Sequence, residues 1–218
     1  LGDRYYQIDL PANPRGAAEP NGVIKPRDCY AEYIAYLQKF VTRELAPLKV
    51  IVDAGNGMAG KFVGDLLKPH AVKLTMMYPE LDGSFPHHEA NPLKLENVAE
   101  LCARVKAEKA DLGVAFDGDA DRVAFIDNAG EMITCDLITI LIARAYLRET
   151  PGSTILYDLR SSWAVKEEIE AAGGKAVMSR VGHSYIKQQL RDTNGIFGGE
   201  LSGHYYFRDN FFCDSGFM

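Results

Sequence analysis

The chain has 218 residues, of which 47% are hydrophobic and 25% are charged, and its formal net charge at pH 7 is −6. This composition is typical of a globular protein with one or two domains, and the scattered basic residues of an acidic chain disfavour a nucleic-acid partner. No run is long and apolar enough to cross a bilayer, so no membrane partner is expected, and four well-separated cysteines without a Cys-x-x-Cys pair favour reduced thiols and a cytoplasmic location.

Helices and strands alternate along the chain after a proline-rich start. Residues 1–26 contain four prolines and predict an irregular lead-in. Apolar residues at helical spacing then predict an amphipathic helix over residues 30–41. The remainder of the first unit is predicted to form strands at 48–53, 72–78, 112–116 and 122–127 and helices at 61–68 and 95–109.

The second unit repeats this pattern after a turn at residues 128–130. The turn predicts a boundary between the two units near residue 131. Strands that alternate with helices are typical of the α/β class with largely parallel sheets. The predicted helices cover residues 133–147, 163–172 and 183–191, and the predicted strands cover 154–159, 176–180, 196–201 and 204–207.

A glycine-rich loop, Asp53-Ala-Gly55-Asn-Gly57-Met-Ala-Gly60, follows the first strand and opens a helix. It has the G-x-G-x-x-G spacing of a dinucleotide site, and Glu80 lies near the end of the next strand, where such a site has an acidic residue. Asp53, however, would place a carboxylate beside the phosphate. A tight turn that needs glycine for steric reasons is therefore the preferred interpretation.

An acidic loop, Asp117-Gly-Asp-Ala-Asp-Arg122, connects two apolar strands. Three carboxylates two residues apart favour a bound cation, and oxygen ligands suit Mg²⁺ or Ca²⁺. An EF-hand is excluded because Arg122 and Asn128 occupy its glycine and glutamate positions. Two alternatives stay open: an aspartyl-phosphate enzyme with Asp117 as nucleophile and Asp119 as acid, and a solvated acidic turn.

A third loop, Gly198-Gly-Glu-Leu-Ser-Gly-His204, runs out of one strand and into another. Glu200, Ser202 and His204 alternate, so in an extended segment they face one side. A carboxylate, a hydroxyl and an imidazole on one face form a clamp suited to vicinal sugar hydroxyls, although a polar hairpin is equally compatible. A nucleophilic Ser202 is disfavoured, because no G-x-S-x-G elbow surrounds it.

Two further groups of residues are less specific. His183 and Lys187 lie at the start of a predicted helix, where an anion site or a capping role is equally compatible. His87 and His88 are adjacent, and neighbouring side chains of an extended loop diverge. We therefore expect the histidine pair to have a structural or solvated role rather than to bind a metal.

The loops together resemble those of the α-D-phosphohexomutase family, of the phosphomannomutase/phosphoglucomutase type. The segment Asp117–Arg122 resembles its magnesium loop, and Gly199-Glu-Leu-Ser-Gly-His204 is similar to its sugar-recognition loop. Segments 52–57, 85–92 and 180–187 match its other recurrent segments in the same order. The resemblance covers nearly the whole chain and implies two consecutive three-layer α/β/α domains with mixed, mostly parallel sheets. They would be the family's second domain at residues 1–131 and its third domain, C-terminally incomplete, at residues 132–218.

The resemblance also implies a role for each candidate site residue. Arg160 stands where relatives have Lys, and either cation would contact the ligand. The glycine-rich loop would be a domain turn without a dinucleotide. The implied roles are Mg²⁺ ligation by Asp117, Asp119 and Asp121, substrate binding by Arg122, Arg160, Gly182, Glu200, Ser202 and His204, and proton transfer or phosphate contact by His183.

The implied reaction interconverts hexose 1-phosphate and hexose 6-phosphate through a phosphoserine and a bisphosphorylated sugar. The expected partners are glucose and mannose 1- and 6-phosphates and the 1,6-bisphosphates, and Leu201 favours this type over the glucosamine type. No Ser-His-Asn-Pro-like or Arg-x-Ser-Gly-Thr-like segment is present among the 218 residues. We therefore expect no turnover by this chain alone, and a non-catalytic binding module and a phosphoglucosamine mutase are the alternatives.

Overall fold

The computed structural model describes residues 25–218, so most of the predicted lead-in lies outside the described residues. Within this range, no helix is both long and apolar enough to cross a membrane. The elements in chain order are α1 (Tyr30–Gln38), β1 (Lys49–Asp53), α2 (Ala59–Leu67), β2 (Lys73–Met77), α3 (Leu95–Glu108), β3 (Leu112–Phe116), β4 (Val123–Ile126), β5 (Met132–Ile133), α4 (Cys135–Glu149), β6 (Thr154–Asp158), α5 (Trp163–Ala171), β7 (Lys175–Ser179), α6 (His183–Asp192), β8 (Phe197–Gly199), β9 (Tyr205–Phe207), a 3-10 helix (Arg208–Asn210) and β10 (Cys213–Asp214).

The first sheet has the strand order β2-β1-β3-β4-β5. Strand β1 is parallel to β2 and β3, while β4 is antiparallel to both β3 and β5, so four of the five strands run in one direction. Successive residues of β1 lie in different buried clusters. Val52 packs in a cluster with Val63 of α2, and Ile51 packs in a cluster with Leu101 of α3. Because both faces are covered by helices, this unit has three layers.

The second sheet repeats this arrangement in the order β10-β9-β8-β6-β7. Strand β6 is parallel to β7 and β8, and β9 is antiparallel to β8 and β10. Leu156 of β6 packs in a cluster with Ile186 of α6, whereas Ile155 packs in a cluster with Val165 of α5. The prediction of two consecutive α/β units with mixed sheets is confirmed.

The two units meet where the β3–β4 loop approaches the β8–β9 loop. The backbone N–H of Val123 donates to the carbonyl of Gly203 at 3.1 Å, and the N–H of Gly216 donates to the carbonyl of Ala120 at 3.1 Å. Between them, Arg122 and His204 form an isolated antiparallel bridge. The acidic loop of the first unit therefore lies beside the Glu200–His204 loop of the second.

The sequence does not predict β5, β10 or the 3-10 helix, because two-residue strands and a single 3-10 turn show no period. Strand β5 extends the first sheet to Ile133, two residues beyond the predicted boundary at residue 131. The strand predicted at 196–201 ends at Gly199. It is shorter because the N–H of Glu200 donates to the carbonyl of His204 at 3.0 Å, which closes a turn.

Candidate functional site

The glycine-rich loop uses its backbone amides inside the protein. The N–H of Gly55 donates to Asp53 Oδ1 at 2.9 Å, and a Cβ on Gly57 would lie 2.7 Å from the carbonyl oxygen of Gly118. The N–H groups of Asn56, Gly57, Met58 and Gly60 donate to the carbonyls of Tyr78, Ala54, Gly118 and Gly57. Amides that are already bonded cannot bind a phosphate, so the structure supports the tight-turn interpretation over a dinucleotide site.

The predicted structural role of the histidine pair is also supported. His87 stacks on Tyr78 with ring centroids 3.9 Å apart, and its Nδ1 lies 2.7 Å from Asn56 Oδ1. His88 Nε2 lies 3.1 Å from the buried Asp53 carboxylate. The two rings therefore tie the loop that contains them to the glycine-rich turn.

The acidic loop brings its three carboxylates together. One oxygen from each of Asp117, Asp119 and Asp121 lies within 4.8 Å of the other two, and the loop curls at Ala120, whose φ of +63° is left-handed. Asp117 is 2% exposed, whereas Asp119 is open to solvent. A set of three carboxylates with no sulfur ligand fits a hard cation such as Mg²⁺.

Arg122 neutralises one side of this loop. Its Nε donates to Asp117 Oδ2 at 2.7 Å and its backbone N–H donates to Asp117 Oδ1 at 3.1 Å. Burial nevertheless raises the pKa of Asp117 to about 6, against the opposing effect of the bonds from Arg122. A divalent cation would supply the missing compensation. An aspartyl-phosphate role is disfavoured, because both oxygens of Asp117 are bonded and the side chain is buried.

Glu200 is buried at the centre of the third loop. Its Oε1 accepts the N–H of Gly182 at 2.9 Å, and its Oε2 accepts the hydroxyl of Tyr206 at 2.6 Å. Burial favours the neutral acid, but hydrogen bonds from His204, Tyr206 and Gly182 outweigh it and lower the pKa of Glu200 to about 2. Glu200 is therefore an anion whose oxygens already receive protein donors.

Ser202 and His204 complete the third loop and join it to the acidic loop. Ser202 Oγ lies 3.0 Å from His204 Nδ1, and His204 Nε2 lies 3.5 Å from Asp121 Oδ1. Burial acts against protonation of His204, but bonds to Asp121 and Glu200 raise its pKa to about 9. The same contact with His204 lowers the pKa of Asp121. An imidazolium thus bridges the candidate metal loop and the candidate sugar loop.

Arg160 is held beside these loops by Asp158, which is fully buried at the end of β6. The Arg160 guanidinium donates to Asp158 Oδ2 at 2.6 Å, and the N–H of Leu201 donates to the same oxygen at 3.0 Å. Arg160 keeps 39% of its side chain exposed. Asp158 therefore fixes a cation next to the third loop, a role that the sequence analysis does not assign to it.

Gly182 and His183 mark the start of α6. Gly182 is joined to the site through its bond to Glu200, and its φ of +120° favours glycine. His183 is exposed, and within the described residues its side chain makes no hydrogen bond or ion pair. The structure thus gathers nine of the ten predicted site residues through their own bonds or mutual proximity, and places His183 at the rim.

Two sequence profiles match consecutive parts of the chain. The profile described as phosphoglucomutase/phosphomannomutase, alpha/beta/alpha domain II, matches residues 29–130, and the profile of domain III matches residues 134–218. The chain belongs to the phosphoglucomutase/phosphomannomutase family. Since the first match ends at residue 130 and the second begins at residue 134, the acidic loop lies in the family's domain II and the Glu200–His204 loop in its domain III.

Individual proteins similar to this chain have names that match this family. A protein of Xanthomonas campestris pv. campestris (strain B100) named "Phosphohexose mutases" is 40% identical over 209 residues, which are 95% of this chain and 46% of that protein. A Pseudomonas aeruginosa phosphomannomutase/phosphoglucomutase is 41% identical over 76% of this chain and 36% of its own length. The chain thus spans about half the length, or less, of the curated relatives it matches.

A solved structure of the same family has the same fold as this chain. The crystal structure of a phosphoglucomutase/phosphomannomutase family protein from Burkholderia thailandensis superimposes with a TM-score of 0.83 at 35% identity. The match covers 87% of this chain and 42% of that one.

Proposed function

We propose that these 218 residues form the metal-binding and sugar-binding half of a phosphohexomutase that interconverts hexose 1-phosphates and hexose 6-phosphates. The observation that carries this proposal is the contact between the two loops through His204, whose ring lies against Asp121 on one side and Ser202 and Glu200 on the other. A site that holds a metal and a sugar side by side suits phosphoryl transfer to and from sugar hydroxyls.

In this proposal Asp117, Asp119 and Asp121 hold Mg²⁺. When bound, the ion withdraws charge from the oxygens of the transferred phosphoryl group. Arg122 and Arg160 bring two guanidinium groups to the same region, and their planar donors match phosphate oxygens.

In this proposal the sugar is contacted by the more exposed residues of the third loop. Ser202 and His204 offer a hydroxyl and a ring to the sugar, while Glu200 positions them and the start of α6. His204 is a better candidate for proton transfer than His183, because it lies between the metal loop and the sugar loop. His183 at the rim is suited to phosphate contact.

The substrate class follows from the names of the relatives and from one residue. The relatives are named phosphohexose mutase and phosphomannomutase/phosphoglucomutase, and Leu201 favours the glucose/mannose type. We propose that the intact protein accepts both sugars. The isolated chain is expected to bind without turnover, because a phosphoserine segment and a phosphate loop are not among its residues. A cytoplasmic location stays a prediction.

An amide NMR titration of the chain tests the metal and sugar sites separately. Mg²⁺ should shift the resonances of residues 117–122, and glucose 1-phosphate should shift those of residues 200–204. Asp119→Asn should weaken Mg²⁺ binding at least about tenfold, since it removes one of three charged ligands from a site open to water. Asp192→Asn, which removes an exposed carboxylate on α6, serves as the matched control.

Two results would contradict this function. Shifts confined to residues 55–60 on addition of NAD would favour a dinucleotide site. If the Asp119→Asn variant and the unsubstituted chain bind Mg²⁺ with equal affinity, the carboxylates of the acidic loop are not the metal ligands.

A further inference from the structure

One carboxylate oxygen of Asp214 is buried without a hydrogen-bond partner in the described part of the chain. Asp214 lies in β10, opposite Tyr206 of β9, and its side chain is 9% exposed. Its Oδ1 is 2.7 Å from Lys187 Nζ, whereas Oδ2 has no donor among residues 25–218. A buried, charged oxygen without a donor is costly, so this atom is expected to gain a donor in another state of the protein.

The ring of His204 is a candidate donor for this oxygen. A carboxylate oxygen of Asp214, a ring nitrogen of His204 and a carboxylate oxygen of Asp121 all lie within 4.8 Å of one another. His204 Nδ1 is already engaged, at 3.0 Å from Ser202 Oγ and 3.3 Å from Glu200 Oε2. His204 Nε2 lies 3.5 Å from Asp121 Oδ1 here, and the carboxylate of Asp214 is within reach of the same ring.

We propose that Asp214 accepts the Nε2–H of His204 when a metal ion takes the carboxylate of Asp121. The inference rests on the proposed metal site, because Asp121 is at once a proposed ligand and the present acceptor for His204. A carboxylate bound to a divalent cation is a weaker acceptor, because the cation withdraws charge from its oxygens. Asp214 is thus a positioning residue that keeps His204 facing the sugar loop after the metal has bound.

Lys187 holds Asp214 in the orientation that this exchange requires. Its ammonium group contacts Asp214 Oδ1 and also lies 5.8 Å from the centre of the Tyr206 ring. Asp214 Oδ2 is therefore the oxygen that is free to accept from His204. Lys187 belongs to α6, and Gly182 at the start of the same helix donates to Glu200. The first half of α6 therefore orients the acceptors of both ring nitrogens of His204.

Three variants of the full 218-residue chain test the exchange. Asp214→Leu removes the acceptor, Asp214→Asn removes the charge but keeps an acceptor oxygen, and Asp209→Asn removes an exposed carboxylate in the adjacent 3-10 helix as a control. The measurements are the dissociation constant for Mg²⁺ by calorimetry and the ¹H–¹⁵N resonance of the His204 Nε2–H at Mg²⁺ saturation.

The expected pattern separates loss of the acceptor from loss of charge. Asp214→Leu should weaken Mg²⁺ binding about tenfold, as expected for a buried donor left without a partner, and should abolish the Nε2–H resonance through exchange with water. Asp214→Asn should keep the resonance and bind with intermediate affinity. Asp209→Asn should match the unsubstituted chain in both measurements.

Each other result overturns the inference in a distinguishable way. Equal Mg²⁺ affinity in all variants would leave the metal site intact and refute the role of Asp214. Identical loss of affinity in Asp214→Asn and Asp214→Leu, with the resonance kept in both, would assign the effect to charge alone. Absence of Mg²⁺ binding by the unsubstituted chain would refute the metal site itself, and the inference with it.

Discussion

Replacement of Glu200 by glutamine is expected to lower the free energy of unfolding of the chain by about 3 kcal/mol at neutral pH. The buried carboxylate receives donors from Gly182 at 2.9 Å and Tyr206 at 2.6 Å, and contacts His204 at 3.3 Å. These contacts lower its pKa from an ordinary value of 4.5 to about 2. At about 1.4 kcal/mol per pKa unit, that difference corresponds to about 3 kcal/mol. Glutamine keeps the shape but turns an amide NH₂ towards groups that donate.

The pH dependence of this effect has a definite sign. Because the pKa of Glu200 is lowered in the folded state, its contribution is complete above pH 4.5 and is lost as the pH falls through about 2. Urea unfolding of the unsubstituted chain and of Glu200→Gln at pH 7, 5 and 3 measures the difference. Glu167→Gln, which replaces an exposed carboxylate on α5, is the control. A difference that stays the same from pH 7 to pH 3 would refute the electrostatic explanation and leave packing as the cause.

Two further stability predictions concern His204 and the glycine-rich turn. The pKa of His204 is raised from 6.5 to about 9, so its contribution to the free energy of unfolding is complete below pH 6.5 and is lost as the pH rises through 9. In urea unfolding, His204→Gln should therefore flatten the decline of stability between these pH values, and an unchanged slope would contradict this explanation. Gly57→Ala should destabilise the chain by about 1–3 kcal/mol, because its Cβ would lie 2.7 Å from the carbonyl oxygen of Gly118. At Gly64 of α2 an added Cβ would have no neighbouring atom within 4 Å, so Gly64→Ala should instead stabilise the chain by up to about 1 kcal/mol. Equal effects of the two alanine substitutions would argue against the steric explanation.

The order and type of the longer elements follow from the sequence because both faces of each sheet are covered by helices. Strands buried on both faces form short apolar runs, such as β1 and β6, and the helices between them show their own period. The short strands β5 and β10 depend instead on pairing with β4 and β9. Such pairing partners are not visible in a local pattern.

The sequence indicates which residues of the candidate site lie near one another, but it does not indicate their contacts, and their binding roles stay predictions. Glu200, Ser202 and His204 do lie together, yet they do so in a closed turn rather than along an extended strand. The sequence predicts that Glu200 accepts sugar hydroxyls, and the structure adds that each of its oxygens also has a protein donor. The sequence does not single out Asp158 or Asp214, because their partners belong to distant elements. Leu201, for example, lies 43 positions after Asp158.

The backbone bonds that join Val123 to Gly203 and Ala120 to Gly216 have a thermodynamic consequence. They hold the acidic loop against the Glu200–His204 loop, so a cation and a sugar bound as proposed above would share His204 as a common neighbour. Whatever factor the cation applies to sugar affinity, the sugar must apply to cation affinity, because binding free energies around a closed cycle are reciprocal. If the cation raises the affinity for the sugar, a fall in free magnesium would therefore weaken sugar binding as well.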